Sequence, residues 1–271
     1  MILLSEINSV SQRFKVPAET IEKDYVIGWI LKCLAKSAAK KDFIFYGGTA
    51  IKKIYFEDHR FSEDIDLLSD MNFSSNELVN NLIHLFKFAK EKINLSLGIN
   101  PNKVIQSQDR IEIFAHYSGY EEIIGSPKEV RLDIAMGTQV FGEIKEEKIL
   151  KTYSDMKPDS SYLKVHSLNT ILANKLGLLM DISRKEPRDI FDIWFLLNRT
   201  RRFDFSKSKV KKSFEEKYGF VPNWKLLIHY LHGARYRERW AIRLEKQMAE
   251  LPPLELVLFE IEDKLKSKLR A

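Results

Sequence analysis

The sequence predicts an α+β fold, in which a strand-bearing half with flanking helices is followed by a helical half. Three observations support this. Short apolar runs bounded by turn residues recur up to Ala135. From Ser167 onward the apolar residues repeat with helical period. Between them lies SDMKPDSS (154–161), the most linker-like stretch in the chain. The expected division is therefore 1–153 and 162–271.

Taken in order, Ala18 to Ala39 follows Pro17 and carries Ile21, Tyr25, Ile27, Leu31 and Leu34 at helical spacing, so a long helix is expected. Phe43-Ile44-Phe45-Tyr46 reads as a short buried strand that stops at Gly47-Gly48. Thr49 to Phe56 has a helical pattern, and Ile65 to Leu68 a strand pattern. Asn76 to Ile93 places Leu78, Leu82, Leu85, Phe86 and Ala89 on one side of a helix. Strand-like runs follow at Lys103–Gln106, Arg110–Tyr117 and Glu129–Ala135, with turns at Gly119 and at Gly125-Ser126-Pro127. Helices are expected over Ser167–Met180, Pro187–Leu197, Val210–Tyr218, Trp224–Glu250 and Leu254–Leu269. No internal repeat or low-complexity tract interrupts this order.

Composition narrows the class. A chain of 271 residues with 44% hydrophobic and 30% charged content suits a folded protein with a proper core. No run of about 18 apolar residues occurs, so a membrane span is not expected. The opening MILLSEINSVSQRFKVP lacks a basic n-region and a small-residue cleavage site, so no signal peptide is expected. Cys33 is the single cysteine; it excludes an internal disulfide and a cysteine zinc site, and points to a reducing cytoplasm. The histidines show no metal spacing. Formal charge is +6, but Asn198–Lys246 holds 14 Lys and Arg against 5 Asp and Glu, a surplus of 9. That basic lobe suits a polyanion such as RNA, or is a solvated lysine-rich face.

The stretch FYGGTAIKKIYFEDHRFSEDIDLLSD (45–70) carries the most chemistry. Gly47 and Gly48 let backbone amides approach a ligand with no Cβ in the way. A helix beginning near Thr49 would turn its first N–H groups on that ligand, and Thr49 adds a hydroxyl. These parts make a phosphate seat. Asp64 and Asp66 alternate with Ile65 and Leu67, so both carboxylates share one strand face. Burying the two acids unpaired would cost several kcal/mol. Divalent cations relieve that conflict, and Mg²⁺ (or Mn²⁺) favours carboxylate and phosphate oxygens. A D-x-D pair by itself can equally be a solvated strand end. A two-metal site needs a third carboxylate, and Asp133 in EVRLDIAMG is the candidate. Leu132 and Ile134 take the opposite face, whereas Asp133 shares its parity with Arg131. A structural salt bridge to Arg131 or another base is the alternative role.

These residues resemble a known signature. FYGGTAIKKIY followed by HRFSEDIDL is similar to the nucleotidyltransferase superfamily, and within it to the AbiEii/AbiGii toxin family of abortive-infection and type IV toxin–antitoxin systems. IEKDYVIGWIL (21–31), VRLDIA (130–135) and ANKLGLLMDISRKEPRDIFDIWFLL (173–197) support the narrower likeness. The resemblance implies a mixed β-sheet flanked by helices and a C-terminal helical domain. It implies triphosphate contacts from Gly48 and Thr49, metal binding by Asp64 and Asp66, and a base role for Asp133. Relatives often carry serine where Thr49 stands; threonine keeps the hydroxyl. Lys175 matches a helical lysine expected to reach nucleotide phosphates, and Asp189 or Asp192 matches the acid that follows it.

Read from the residues alone, Lys175 sits among Leu172, Leu176 and Leu179, where it either snorkels outward or points into a cleft. Asp189 and Asp192 share a helix face opposite the stripe of Ile190, Ile193, Trp194 and Leu197. Arg184 and Arg188, four apart, could grip phosphate or pair with those acids. Arg60 could hold its turn or a phosphate. Tyr230, Tyr236 and Trp240, interleaved with Arg235, Arg237 and Arg239, could stack on bases or pack in the core.

The expected function is transfer of an NMP from an NTP to an acceptor hydroxyl on RNA, with tRNA suggested by the resemblance, growth inhibition as the result, and an antitoxin as a further partner. The alternative is a catalytically silent nucleotide- or RNA-binding protein of the same fold, which the placement of Asp133 relative to Asp64 and Asp66 discriminates. A basic scaffold for an acidic protein partner is a third reading, opposed by salt-sensitive tRNA binding.

Overall fold

The computed structural model describes residues 1–124, 128–156 and 161–269; the turn expected at Gly125-Ser126-Pro127 and residues 157–160 of the linker stretch lie outside them. The chain divides into two units. One comprises Met1–Val140 and Glu146–Val165, the other Phe141–Lys145 and His166–Ala271.

The first unit is built on a mixed sheet. Its strands are β1 (Ile44–Tyr46), β2 (Asp64–Leu68), β3 (Leu97–Ile99), β4 (Ile105–Gln106), β5 (Arg110–Tyr117), β6 (Glu129–Ala135), β7 (Ile144–Lys148) and β8 (Tyr162–His166). They lie in the order β3-β5-β6-β2-β1-β8-β7, with β4 beside β5. β2 pairs antiparallel with β1 and parallel with β6, while β5 pairs antiparallel with β6. Alternation gives the central strands two unlike faces. Ile65, Leu67, Leu132 and Ile134 line an apolar layer with Leu31 and Leu82. The intervening residues Asp64, Asp66 and Asp133 therefore occupy the other face.

Helices α1 (Leu4–Phe14), α2 (Ala18–Lys36), α3 (Gly47–Ala50) and α4 (Ser75–Ile93) complete this unit. Ser74 caps α4 by accepting from the Glu77 N–H at 3.2 Å, so a local side chain satisfies one of its orphan donors. α2 is buried on nearly all sides, charged residues Glu22, Asp24 and Lys32 included. That is why its sequence lacks a clean polar face. α3 begins at Gly47, two residues before the expected start, and widens into a π-type turn over Ile51–Tyr55. Of the run Lys103–Gln106 only Ile105–Gln106 pairs as a strand; Pro101 sets a 3₁₀ turn over Pro101–Lys103.

The second unit is helical: α5 (Leu168–Leu178), α6 (Pro187–Asn198), α7 (Lys207–Tyr218), α8 (Trp224–Leu231), α9 (Ala234–Leu244) and α10 (Leu254–Lys264). α6 packs against α5, α9 and α10. The long helix expected over Trp224–Glu250 is broken at His232-Gly233, where Gly233 is extended before α9. Trp194 leaves the predicted stripe and is half-buried, with its Nε1 donating to Glu260 at 2.6 Å. Tyr236 and Trp240 are buried, so they pack the core rather than offer faces to bases. No helix among the described residues is long and apolar enough to cross a membrane.

Candidate active site

Strand register brings the acids together. In the parallel pair β2/β6, Asp66 lies opposite Asp133 and Asp64 opposite Arg131. In the antiparallel pair β5/β6, Glu112 lies opposite Asp133. Facing residues in adjacent strands project to the same side. One sheet face thus carries Asp64, Asp66, Asp133, Glu112 and Arg131.

The glycine turn closes on this face. Gly47 has φ +81°, and a Cβ there would fall 2.2 Å from Asp66 Oδ2. Only glycine meets both demands without strain or displacement of the carboxylate. The first N–H groups of α3 lack intrahelical acceptors by construction, so the turn places amides beside Asp66. The Thr49 hydroxyl is engaged within the protein. Its hydroxyl donates to the Asp64 carbonyl and lies 2.7 Å from the Ser62 hydroxyl. It staples the turn to the start of β2. Arg60 is buried and donates to the Phe61 carbonyl at 3.2 Å, so it too holds its own loop. Behind the turn, Lys53 Nζ reaches Asp24 Oδ2 at 2.6 Å, and the Tyr153 hydroxyl donates to the same oxygen at 2.7 Å. This sealed pair fastens the segment after α3 to α2.

Arginines occupy the carboxylates. Arg131 grips Asp64 with Nε at 3.3 Å and Nη2 at 2.9 Å, and its Nη1 lies 3.5 Å from Glu112. Arg110 Nε stands 3.0 Å from Asp133 Oδ1. Its N–H is not aligned with that oxygen, which has no hydrogen-bond partner among the described residues. The contact is Coulombic only. Burial pushes the Asp133 carboxyl above its ordinary range, against the pull of Arg110 and Arg131.

Among the described residues no three acidic, histidine or cysteine side chains converge on a single cation position. The donor set is nevertheless all oxygen, as Mg²⁺ and Mn²⁺ require. The orphaned, buried Asp133 Oδ1 is an acceptor in want of a partner. The residues fit a hard divalent cation once the guanidinium groups give way.

Lys175, Asp189 and Asp192 form a cluster inside the second unit. Lys175 Nζ lies 2.6 Å from Asp189 and 2.8 Å from Asp192, and Arg184 Nε lies 2.8 Å from Asp189. Of the two sequence alternatives for Lys175, snorkelling is therefore excluded; it is buried and paired with both candidate acids. Burial pushes Asp189 up, but Lys175 and Arg184 outweigh it and hold the carboxyl below its ordinary range. Arg188 pairs with Glu186 at 3.2 Å, alongside Arg239 and Arg243. Sequence reading missed Arg110, Glu112 and the Asp24–Lys53 pair. Glu112 was within reach of parity arguments, because RIEIFAHY alternates cleanly.

Comparison with known proteins shows the family and the fold. A family model described as nucleotidyl transferase AbiEii toxin, type IV toxin–antitoxin system, matches residues 29–267. The comparison with curated proteins gives no match. The fold is similar to that of MenT4, a nucleotidyltransferase toxin of Mycobacterium tuberculosis, with TM-score 0.69 and 13% identity, covering 98% of this chain and 90% of that one. It is also similar to JHP933 of Helicobacter pylori, with TM-score 0.59 and 17% identity, covering 94% and 95%.

Proposed function

Because the chain belongs to the AbiEii nucleotidyltransferase toxin family of type IV toxin–antitoxin systems, we propose that it transfers an NMP from an NTP to a hydroxyl of an RNA acceptor, with tRNA the first candidate. The observation that carries this reading is the register of Asp133 beside Asp66, next to a turn where only glycine fits. A silent binding protein would have no need of a third acid in that place.

In this reading the triphosphate lies along the amides of Gly47 and Gly48. Thr49 contributes by fixing that turn through the Asp64 carbonyl, rather than by offering its own proton. Asp64 and Asp66 would hold a divalent cation, which when bound neutralises triphosphate charge and polarises the α-phosphate. The acceptor oxygen attacks the α-phosphorus, the bond to the bridging oxygen breaks, and pyrophosphate departs with that electron pair. Asp133 takes the acceptor proton; its raised affinity for protons suits a base better than an ordinary aspartate. The helical unit, with its basic surplus, is assigned the acceptor. Lys175 with Asp189 and Asp192 is assigned to shaping that unit, and an antitoxin is the expected protein partner.

The test is incubation with total RNA, Mg²⁺ and each of four α-labelled NTPs in turn. A labelled RNA band identifies donor and acceptor class together. Asp66→Asn should lower labelling by about 10³-fold or more while leaving the thermal melt in place. Wild-type labelling by a folded Asp66→Asn protein refutes the site.

A further inference from the structure

The sheet face that carries the proposed cation ligands is already neutralised in part by the protein itself. Near its centre the carboxylates of Asp64, Asp66, Glu112 and Asp133 stand with the guanidinium groups of Arg110 and Arg131. Arg131 is the better placed of the two arginines. It holds Asp64 with two nitrogens and touches Glu112 with a third. A planar fork of this kind matches carboxylate and phosphate equally well. Its side chain is 35% exposed and that of Asp64 22% exposed, so the pair sits where water can replace either partner. Such half-exposed pairs exchange at little cost.

A second observation points to a missing occupant. Asp133 is 6% exposed, and its Oδ1 lacks a hydrogen bond even with Arg110 at 3.0 Å. A buried acceptor left in that state is costly. The face is thus arranged for a cationic guest that Arg131 displaces only partly.

We propose that Arg131 is a substrate-exchange residue: in the resting protein its guanidinium takes the place of the divalent cation at Asp64, and on arrival of the cation-bound triphosphate it moves to the phosphate oxygens. The proposal rests on the nucleotidyl-transfer reading and adds an order to it. The cation enters with the triphosphate, because alone it must compete with Arg131 and brings no anion for the arginine to take. The acids are never left unpaired, and the arginine trades one oxygen pair for another.

The experiment uses the full chain, Mn²⁺ as the cation and inorganic tripolyphosphate as a base-free triphosphate, with bound Mn²⁺ read by electron paramagnetic resonance. Wild type binds Mn²⁺ weakly alone and more tightly with tripolyphosphate. Arg131→Gln binds Mn²⁺ alone about tenfold more tightly than wild type, and binds tripolyphosphate with Mn²⁺ about tenfold more weakly. Arg131→Lys keeps the charge without the fork, moves both affinities in the same directions by smaller factors, and serves if the glutamine variant does not fold. A folded variant in which Mn²⁺ affinity does not rise overturns the exchange. Asp66→Asn separates the two readings. If it abolishes Mn²⁺ binding, the cation seat stands and only the role of Arg131 is at issue. If it binds like wild type with and without tripolyphosphate, the seat itself is wrong.

Discussion

Two ionic clusters in this molecule each set carboxylates against basic side chains, and they behave in opposite ways. On the sheet face, Arg131 and Asp64 are partly exposed, and Asp133 keeps an orphaned oxygen. In the helical unit, the side chains of Lys175, Asp189 and Asp192 are 7%, 4% and 0% exposed, and Lys175 lies within 2.8 Å of both acids. Partly wet ion pairs contribute little to stability and can be exchanged for a ligand's charges. Sealed pairs cannot be opened without stranding a charge away from water. The first cluster is therefore built for turnover of partners, and the second for permanence.

The largest effect on stability should come from opening the sealed cluster. Lys175→Ala leaves two buried carboxylates with one fewer counter-charge, and should cost about 3–5 kcal/mol in urea unfolding. Arg184 remains on Asp189. A loss below about 1 kcal/mol would mean that water enters the cluster, and the contrast between the two regions would fail. Equivalent removal on the sheet face, Arg131→Gln, should leave unfolding nearly unchanged.

Gly47→Ala sits between these extremes and splits stability from activity. The left-handed backbone costs a side chain roughly 1–2 kcal/mol, and the new Cβ would stand 2.2 Å from Asp66 Oδ2. That oxygen ends a flexible side chain, so it can swing away at small cost to folding. Nucleotide labelling of RNA should fall far more than the unfolding free energy does. Parallel loss of both would place Gly47 in the scaffold rather than the site.

The same distinction explains what the sequence revealed. Period-2 alternation in DIDLL and EVRLDIA was enough to place Asp64, Asp66 and Asp133 on one side of their strands, and paired glycines marked the turn. The pattern could not show that Arg131 faces Asp64, because that contact joins strands 67 residues apart in sequence. Nor could it show that the Thr49 hydroxyl is already engaged by a backbone carbonyl. β7 escaped notice because IKEEK buries no apolar side chain, and β8 because YLKVH is brief. α1 had a readable stripe in Leu4, Ile7, Val10 and Phe14, yet its polar residues masked it. Gly233 was the available signal that the Trp224–Glu250 stretch is two helices. The expected mixed sheet flanked by helices is what the structure contains.

The smallest effects sharpen the comparison through pH, because the two clusters bend the stability curve in opposite directions. Burial raises the Asp133 carboxyl above its ordinary value of 3.8. Between 3.8 and that raised value the folded protein binds more protons than the unfolded chain, so stability falls as pH rises through the window. Asp189 is held below 3.8 by Lys175 and Arg184, against its burial. There the unfolded chain binds more protons, so stability is present above 3.8 and is lost as pH falls through the depressed value. Neither slope can exceed about 1.4 kcal/mol per pH unit for one proton. Thermal melts across the acid range should therefore show Asp133→Asn flattening the decline above pH 3.8, and Asp189→Asn flattening the rise below it. The readout is the slope, not the level, because each variant also changes the absolute stability. Slopes of the same sign at both sites would show that Asp133 is as firmly paired as Asp189, and the exchangeable character assigned to the sheet face would be lost.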